Sequence, residues 1–410
     1  MSVMKLIKAI YYFIGIFFLF PLSCLIPKKR NLVSIIGKEE GKFVDNTKYL
    51  FIYLNEIRES KKFEFYYITG NKEIYYTLKE FKFPVLYYPS FMSVLTILRS
   101  NFIIIDELSA FKISKYYLGF KSKKIQLWHG SNLKKIEIEK FEEDISDFNL
   151  FKKLAVIIFN KIVGSYPKYE IVTSSSTFFT KIFKKSFKSN HFIETGYPRN
   201  DIFFKGKDLS NYELIGTDKS VIHQILEEKR KGKRIILYAP TFRDSEGDVI
   251  ADNILDLHRL SNFAYNNNYF LVFKFHRSGL SYDLSEFKNI IEYDNTLDAQ
   301  PILKIIDLLI TDYSSIFFDF LLLNKPIIFF PYDYNKYTSK DRQLVCDYDY
   351  MTPGPKCYNQ NDLELNILEI FQYDKFVEER NKILRITFDY IDGNSSERIW
   401  NYLHKYINIK

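Results

Sequence analysis

The sequence contains little cysteine: only Cys24, Cys346 and Cys357 occur in 410 residues, widely spaced and without a CxxC pair. This spacing indicates neither a disulfide framework nor a zinc site, and it favours a reducing compartment with free thiols. The chain also lacks GxGxxG, GxxxxGKS/T, HExxH and a DxD-like metal pair. Dehydrogenases, P-loop kinases and metal-dependent sugar transferases would usually carry such motifs, so we predict neither a bound metal nor a cofactor.

The composition is that of a folded, moderately basic protein. Hydrophobic residues make up 47% and charged residues 26% of the chain, and the formal net charge is +8. Those values exclude wholesale disorder. A basic balance suits nucleic acid, an anionic membrane surface or a phosphate-rich substrate. The positive charge is scattered along the chain and does not form one stripe, so we predict no nucleic-acid partner.

The amino terminus is almost continuously apolar over residues 9–26, with Lys5 and Lys8 before this run and the basic segment 28–30 after it. A signal peptide would need a small-residue cleavage site where the basic segment stands. A membrane-spanning helix would be of marginal length and interrupted by Pro21. Basic flanks on both sides suit an interfacial or monotopic segment, and a buried core helix is the alternative. We therefore predict a membrane-associating segment over residues 1–30.

The rest of the chain alternates short apolar runs with amphipathic stretches, which predicts parallel sheets covered by helices. Two such series predict an α/β protein of two Rossmann-like domains, over residues 31–205 and 206–385, with a carboxyl-terminal helix over 386–410 that packs back on the first domain. Each apolar run is a predicted strand. The runs cover 31–37, 63–70, 83–89, 101–107, 124–130, 170–176 and 192–198, then 233–241, 269–276, 305–312 and 325–333.

Ligands in such sheets bind beyond the carboxyl ends of the strands, so polar residues that follow the predicted strands are the candidate site residues. Trp128-His129-Gly130 follows the run KIQL. A histidine there can take a proton from a hydroxyl, or it can merely hydrogen-bond its own loop. Arg199 follows the run FIET, and it can either meet a phosphate or form a structural pair with Asp201.

Two strand ends in the second series carry basic groups. Thr241 and Arg243, in APTFRD after RIILY, lie where a pyrophosphate would arrive, and a guanidinium suits phosphate because it donates paired hydrogen bonds. Lys274 and His276, in KFHR, would stabilise the charge that develops on a leaving phosphate.

The run IIDLLITD leads into the hydroxyl-rich turn 311–315, TDYSS, and then into an apolar helical stretch. Ser314 or Ser315 is suited to cap that helix, whose free N–H groups and dipole would bind an anion. Asp319 lies about one turn further on, and it could accept hydrogen bonds from hydroxyls of a bound donor. An ordinary capped helix is the alternative.

In this order, these motifs resemble the CDP-glycerol glycerophosphotransferase family, the teichoic acid primases and polymerases. The resemblance covers roughly residues 120–400, and ITDYSSIFFDFLLLNKPIIFFPYD is its most specific part. The region 30–70, with Asp45-Asn46 before a helix, looks like the amino-terminal part of the family. The matching segments are Trp128-His129-Gly130, Lys134-Lys135, 196–201, 237–244, His276, 309–334, 352–355 and 392–398.

The resemblance implies a GT-B-like fold whose two domains face a cleft, with CDP-glycerol or CDP-ribitol as the donor substrate. It implies that His129 is the base on the acceptor side and that His276 and Asp319 are catalytic on the donor side. The other donor-binding residues would be Thr241, Arg243, Thr311, Asp312, Ser314 and Ser315. The other acceptor-side residues would be Asn46, Trp128, Gly130, Lys134, Arg199, Asn200 and Asp201.

Three residues depart from the usual pattern of the family: Asn132 and Arg277 each stand in place of a proline, and Phe242 stands in place of a tryptophan. The residue at 132 could alter the choice of acceptor, and Arg277 could add a phosphate contact. None of the three removes a proposed catalytic group.

We therefore expect an enzyme that transfers glycerol phosphate or ribitol phosphate to a lipid-linked saccharide or polyol-phosphate acceptor and releases CMP, in teichoic acid or capsule-type polymer synthesis. Its expected place is the cytoplasmic face of a bacterial cell membrane, as a peripheral or monotopic protein, with a homo-oligomer left open. A GT-B glycosyltransferase that uses a nucleotide sugar and a non-catalytic membrane-bound glycan-binding module are the alternatives.

Overall fold

The computed structural model describes residues 10, 12–58, 63–108, 114–131, 133–163, 165–241, 243, 249–250, 252–275, 284–340 and 344–408. The chain forms two compact units. Unit 1 consists of Met1–His129, Ile136–Phe204 and Asp392–Lys410, and unit 2 consists of Gly130–Lys135 and Lys205–Ile391.

Unit 1 is built on a seven-stranded parallel sheet with the order β3-β2-β1-β4-β5-β6-β7. Its strands are β1 (Lys29–Ile36), β2 (Glu64–Thr69), β3 (Val85–Tyr87), β4 (Ser100–Ile105), β5 (Lys123–Gln126), β6 (Tyr169–Ser174) and β7 (Ser189–Glu194). The central strand β4 is buried on both faces from Phe102 to Ile105, which explains its unbroken apolar sequence. The strand order reverses between β1 and β4, and this reversal marks a ligand-binding crevice at the carboxyl ends of the two strands.

Helices cover this sheet. They are α1 (Phe20–Leu25), α2 (Asp45–Glu56), α3 (Lys72–Glu80), α4 (Phe91–Arg99), α5 (Ser114–Leu118), α6 (Glu137–Asp144), α7 (Leu150–Val163) and α8 (Thr177–Ser186), with a 3-10 helix over Pro198–Phe204. The carboxyl-terminal helix, Ser395–Asn408, also belongs to unit 1, where the ring of Trp400 meets that of Phe63 at 4.8 Å. It is α17 in chain order.

Unit 2 has a five-stranded parallel sheet with the order β10-β9-β8-β11-β12, so its order reverses between β8 and β11. Its strands are β8 (Arg234–Tyr238), β9 (Tyr269–Phe273), β10 (Ile290–Glu292), β11 (Leu308–Thr311) and β12 (Ile327–Phe329). Its helices are α9 (Lys219–Arg230), α10 (Leu257–Asn266), α11 (Gln300–Ile305), α12 (Ile316–Leu321), α13 (Tyr334–Lys340), α14 (Tyr348–Met351), α15 (Gln360–Gln372) and α16 (Val377–Thr387).

The prediction of two Rossmann-like parallel sheets is confirmed, and each predicted strand overlaps an observed one. The sequence analysis missed β10, because three residues are too few to show a periodic pattern. The boundary between Phe204 and Lys205 lies beside the one predicted at residue 205.

The apolar amino-terminal stretch is helical where it is described, with a π-helical turn over Gly15–Leu19 that continues into α1. A side chain at Gly15 would collide with the ring of Tyr117, so glycine is required for this close approach. Phe17 and Phe18 are each 62% exposed, which makes a buried core helix wrong for this segment. Within the described ranges, no helix is long and apolar enough to cross a membrane.

Candidate active site

The polar cluster of unit 1 lies at the carboxyl ends of β1, β4 and β5, next to the reversal of strand order. Lys38 follows β1, Asp106 and Glu107 follow β4, and His129 follows β5. The Lys38 ammonium lies 3.3 Å from a Glu107 carboxylate oxygen. A basic, an acidic and an imidazole group are therefore gathered where this fold binds ligands.

The loop that carries His129 has a strained backbone. Trp128 has a φ of +57°, in the left-handed region that a bulky residue rarely adopts. The backbone N–H of Trp128 donates to Gln126 Oε1 at 3.0 Å, and the Trp128 ring packs on the imidazole with centroids 4.0 Å apart. Backbone strain of this kind persists only where the surroundings enforce it, and such strain clusters at functional sites.

One hydrogen bond sets the orientation of the imidazole. His129 Nδ1 lies 3.2 Å from the backbone carbonyl oxygen of Asp106. A carbonyl oxygen can only accept, so Nδ1 carries the hydrogen and Nε2 keeps its lone pair. This is the tautomer that a general base requires.

The start of α2 holds the histidine loop in place. Asp45, itself at a φ of +62°, accepts a 2.6 Å bond from Arg199 Nη1, and the same nitrogen donates to the His129 carbonyl at 2.7 Å. Asn46 donates from Nδ2 to the Trp128 carbonyl at 2.6 Å and accepts from the Arg199 N–H at 3.1 Å. Two consecutive residues of α2 thus fix two consecutive carbonyls of the loop.

Asp106 is a fully buried carboxyl group with an incomplete set of partners. Its Oδ2 accepts from the backbone N–H of Thr47 at 3.1 Å and from the Thr47 hydroxyl at 2.8 Å. Its Oδ1 has no hydrogen-bond partner in the described part of the chain. Burial, together with the nearby Asp45 carboxylate, raises the pKa of Asp106 to about 7 against the opposing effect of the Thr47 hydrogen bonds and of Lys38. Asp106 therefore titrates near neutral pH.

His129 is held uncharged. Burial lowers its pKa to about 4, and Lys38 contributes in the same direction, against the opposing effect of Asp45. Burial would also lower the pKa of Lys38, but Asp45 and Glu107 raise it overall. At neutral pH a neutral imidazole therefore lies near a charged ammonium group.

The segment 199–201 has a positioning role in this structure. Arg199 is 8% exposed and is bound to Asp45 and to the His129 carbonyl. Asp201 accepts from the backbone N–H groups of Ser395 at 2.9 Å and Ser396 at 2.8 Å, and so it caps α17. Arg199 and Asp201 are therefore bound to other residues, and not in the structural pair with each other that the sequence suggested. Direct contact of Arg199, Asn200 and Asp201 with the acceptor stays a prediction.

Gly130 and Lys134 belong to unit 2, although the sequence grouped them with the acceptor side. The Val345 N–H donates to the Leu133 carbonyl at 2.7 Å, and Lys134 pairs with Leu344 in an antiparallel bridge. Backbone pairing that the sequence motifs do not predict therefore joins Leu133 and Lys134 to the rest of unit 2.

In unit 2, the ends of β8 and β11 are tied together by polar side chains. The Thr241 N–H donates to Asp312 Oδ1 at 2.8 Å, and the Thr311 hydroxyl donates to the Ala239 carbonyl at 2.7 Å. The Thr241 hydroxyl oxygen is buried and has no hydrogen-bond partner among the residues that the structure describes. It is therefore a free polar group at the switch point of the second sheet.

Arg243 has its charge compensated within unit 2. Its guanidinium donates to both carboxylate oxygens of Asp333, at 2.7 and 3.0 Å, and lies 2.8 Å from Asp312 Oδ2. It also stacks over the rings of Tyr313 and Tyr337, at 5.2 and 5.1 Å. Such enclosure favours a structural role, and the predicted phosphate contact stays a prediction.

The turn that contains Ser314 and Ser315 leads into α12, which is only six residues long. Ser315 stands at the N-cap without a side-chain cap bond, and Ser314 Oγ lies 3.4 Å from the Ile316 nitrogen. Asp319 is 2% exposed and accepts from Gln300 Nε2 at 3.1 Å. The structure thus buries Asp319 inside unit 2, and its predicted role toward the donor stays a prediction.

His276 lies outside the described residues, and so do the three departures from the family pattern, Asn132, Phe242 and Arg277. The nearby Lys274 donates to the Asn295 carbonyl at 2.8 Å. Within the described ranges, no group of three or more histidine, cysteine or acidic side chains could hold a metal ion.

The sequence analysis did not select Lys38, Asp45, Asp106, Glu107 or Asp333 as site residues. Asp106 and Glu107 carried a usable signal, since they end the apolar run NFIIIDE as His129 follows KIQL. Lys38 and Asp45 carried a weaker indication in the sequence. Only the fold brings the segment after β1, which carries them, close to the loop after β5, which carries His129.

Comparisons with known proteins relate the chain to one family. A sequence model of the family described as CDP-glycerol:poly(glycerophosphate) glycerophosphotransferase matches residues 18–405. The teichoic acid glycerol-phosphate primase of Bacillus subtilis is 33% identical over 70% of this chain and 69% of its own length. The teichoic acid poly(glycerol phosphate) polymerase of the same organism is 27% identical over 94% of this chain, which spans only 50% of that relative.

A solved structure of the wall teichoic acid polymerase TagF superposes with a TM-score of 0.70 at 22% identity, over 99% of this chain and 98% of that one. This likeness shows the fold, which is the predicted GT-B-like α/β fold.

Proposed function

The chain belongs to the CDP-glycerol:poly(glycerophosphate) glycerophosphotransferase family, and from that premise we propose that it transfers an alditol phosphate from a CDP-alditol to a hydroxyl group in teichoic acid synthesis. Glycerol phosphate from CDP-glycerol is the first choice, because both of the curated relatives described above are named for glycerol phosphate. The acceptor is a lipid-linked saccharide or a growing polyol phosphate.

The observation that carries this proposal is the neutral His129, whose Nδ1 is bound to the Asp106 carbonyl and whose Nε2 is left as an acceptor. In the proposed reaction, Nε2 takes the proton of the acceptor hydroxyl as its oxygen attacks the β-phosphorus of the donor. The bond from that phosphorus to the bridging oxygen breaks, and CMP leaves with the bonding electrons. Positioning and electrostatics dominate such phosphoryl transfers.

Unit 2 is the proposed donor side. Thr241 supports this assignment with a hydroxyl that has no partner among the described residues, at the end of β8. The hydroxyl groups of Ser314 and Ser315 follow β11, on the other side of the same switch point. His276 completes the proposed set that meets the leaving phosphate, and Arg243 supports this set through its pairs with Asp312 and Asp333.

Unit 1 is the proposed acceptor side. Lys38 supports this assignment, because its ammonium is partly exposed and affects the pKa of His129. A phosphate of the acceptor or donor near the imidazole would offset the field of Lys38 and raise the pKa of His129 toward its ordinary value. Binding would therefore strengthen the base.

The test is a donor screen with product mass as the readout. The purified protein is incubated with a lipid-linked acceptor and CDP-glycerol, CDP-ribitol or a UDP-hexose. We expect product that is heavier by glycerol phosphate units, together with release of CMP. A hexose increment would instead establish a glycosyltransferase, and no turnover of any donor would support a binding module.

We further propose that the protein works at the cytoplasmic face of a bacterial cell membrane as a peripheral protein. A lipid-linked acceptor supports this location, and so do the basic residues that flank the apolar amino terminus. Fractionation of cells, followed by a high-salt or alkaline wash, tests it. Recovery of all of the protein in the soluble fraction, before any wash of the membranes, would contradict this location.

A further inference from the structure

Lys38 is a partly exposed cation in the polar cluster of unit 1. Its side chain is 28% exposed, whereas the Arg199 side chain is 9% exposed and is bound to Asp45 and to the His129 carbonyl. The Lys38 ammonium lies 3.3 Å from a Glu107 oxygen and 3.9 Å from an Asp45 oxygen. An ammonium group carries three N–H donors, so these two contacts leave donor capacity for a ligand.

Lys38 also lies close to the imidazole of His129. Glu107, its partner at 3.3 Å, directly follows Asp106, whose carbonyl oxygen lies 3.2 Å from His129 Nδ1. Burial lowers the pKa of His129 most, and the positive charge of Lys38 lowers it further. A group that reacts at His129 Nε2 is therefore exposed to the charge of Lys38.

The loop that carries Lys38 is anchored to the neighbouring strand β2. The Lys42 N–H donates to the Lys38 carbonyl at 3.0 Å, which closes the loop on itself. From β2, the Thr69 hydroxyl donates to the Gly41 carbonyl at 2.7 Å and the Tyr67 hydroxyl to the Lys42 carbonyl at 2.6 Å. The backbone that positions the ammonium is therefore fixed before any substrate binds, as electrostatic catalysis requires.

The charged and titratable groups that face Lys38 and His129 come from four parts of unit 1. They are Asp45 of α2, Asp106 and Glu107 after β4, Glu137 of α6 and Arg199 of the 3-10 helix. Burial is the largest cause that raises the pKa of both Asp106 and Glu137 to about 7. Asp45 and Glu107 each lie beside a cation. An arriving phosphate therefore meets no large uncompensated negative charge.

We propose that Lys38 is a catalytic residue that contacts a non-bridging oxygen of the transferred phosphoryl group. This role rests on the proposed function and adds a cation to its acceptor side. The acceptor hydroxyl gives its proton to His129 Nε2, its oxygen bonds to the β-phosphorus, and the bond from that phosphorus to the oxygen of CMP breaks. The phosphorus therefore passes beside His129 and close to Lys38, where a fixed cation stabilises the charge of the transition state.

The kinetic test compares Lys38→Met with Lys42→Met. Lys42 is the matched control, since it lies in the same loop, has the same side-chain exposure of 28% and pairs with Glu39 at 2.8 Å. We expect Lys38→Met to lower kcat at least about tenfold with little change in the KM for the donor, because a transition-state contact is lost. Lys42→Met should leave both constants unchanged, and Lys38→Arg keeps the cation and should recover part of the rate.

The pH dependence of kcat/KM gives a readout that a merely structural role of Lys38 would not change. Without the opposing effect of Lys38, Asp45 and Glu107 raise the pKa of His129, so the acidic limb of the profile moves to higher pH. The plateau should fall although the base is stronger. An unchanged kcat in Lys38→Met would overturn the proposal, and so would a lower rate with an unmoved limb.

A binding measurement separates this contact from the proposed activity. The chain is isotopically labelled at histidine Cε1, and the His129 signal in the NMR spectrum is the one that His129→Ala removes. We expect inorganic phosphate to shift this signal in the unmodified chain and in Lys42→Met, but not in Lys38→Met. An equal shift in Lys38→Met, or no shift in the unmodified chain, would overturn the contact. A shift that depends on Lys38 in a chain that transfers nothing from any donor would refute the proposed function and leave the anion contact intact.

Discussion

The polar clusters at the two switch points differ in how their charges are compensated. In unit 2, Arg243 is enclosed by two aspartates and three tyrosine rings. In unit 1, His129 is uncharged, and the carboxyl group of Asp106 titrates near neutral pH with one oxygen unpartnered in the described part of the chain. A buried cluster with paired charges resists change, whereas groups that titrate near neutral pH are suited to move protons. The comparison therefore favours a supporting role for the cluster of unit 2, and the chemical role of the cluster of unit 1 stays a prediction.

The largest expected effect tests the supporting cluster. Replacing Arg243 with Met leaves Asp312 and Asp333 buried without their cation, so we expect the free energy of unfolding to fall by about 3–5 kcal/mol. Chemical denaturation measures it. Arg259→Met is the control, because the Arg259–Glu364 pair is more exposed and should contribute about 1 kcal/mol or less. Equal losses in the two variants would contradict a structural role for Arg243.

The next effect tests the chemical cluster. His129→Ala removes the proposed base, and we expect the rate of CMP release to fall about 100-fold or more with little change in stability. His223→Ala provides the control, because the His223 side chain lies exposed on α9 beside Glu227. Full activity of the His129 variant would end the proposed mechanism.

We expect a smaller loss of rate when the loop that carries His129 loses its hydrogen bonds to Asn46 but the imidazole itself is kept. Asn46→Ala removes the hydrogen bonds to the Trp128 carbonyl and the Arg199 N–H, so we expect transfer to slow by about tenfold to a hundredfold. Asn101→Ala is matched, because Asn101 also donates to a carbonyl, that of Arg30, but at an exposed position. If the Asn46 and Asn101 variants transfer at equal rates, the hydrogen bonds of Asn46 to the histidine loop have no part in catalysis.

The last prediction concerns the pH dependence of stability. Asp106 has a raised pKa, so the stability that its proton provides is complete below the unfolded pKa of about 3.9 and is lost as the pH rises to about 7. Asp106→Asn should therefore gain about 4 kcal/mol relative to the unmodified chain between pH 4 and pH 8, since each pKa unit of the shift corresponds to about 1.4 kcal/mol.

Thermal unfolding across that pH range measures the difference. Asp218→Asn should instead lose stability relative to the unmodified chain as the pH rises. Hydrogen bonds from Ser220 and Val221 lower the pKa of Asp218 despite the opposing effect of burial. A flat difference between the Asp106 variant and the unmodified chain would show that this carboxyl group does not titrate near neutral pH.

Much of the architecture could be predicted, because parallel strands buried on both faces leave continuous apolar runs such as NFIII of β4. The same logic selected His129, Thr241 and Ser314 as candidates, and each follows an observed strand, β5, β8 or β11. Groups that act by pairing could not be assigned in this way. The partners of Arg243 are Asp312 and Asp333, and the second lies 90 residues away along the chain.

The sequence by itself determined two parallel α/β sheets, the strand ends where polar groups gather and an apolar amino terminus beside basic residues. Only the tertiary structure decided which nitrogen of His129 is free, since that depends on a carbonyl 23 residues away. It also decided that Lys134 lies in unit 2 and that α7 adjoins the amino-terminal helix. Local sequence fixes the period and ends of each element, whereas hydrogen-bond partners and exposed faces depend on contacts between distant segments, which no local pattern encodes.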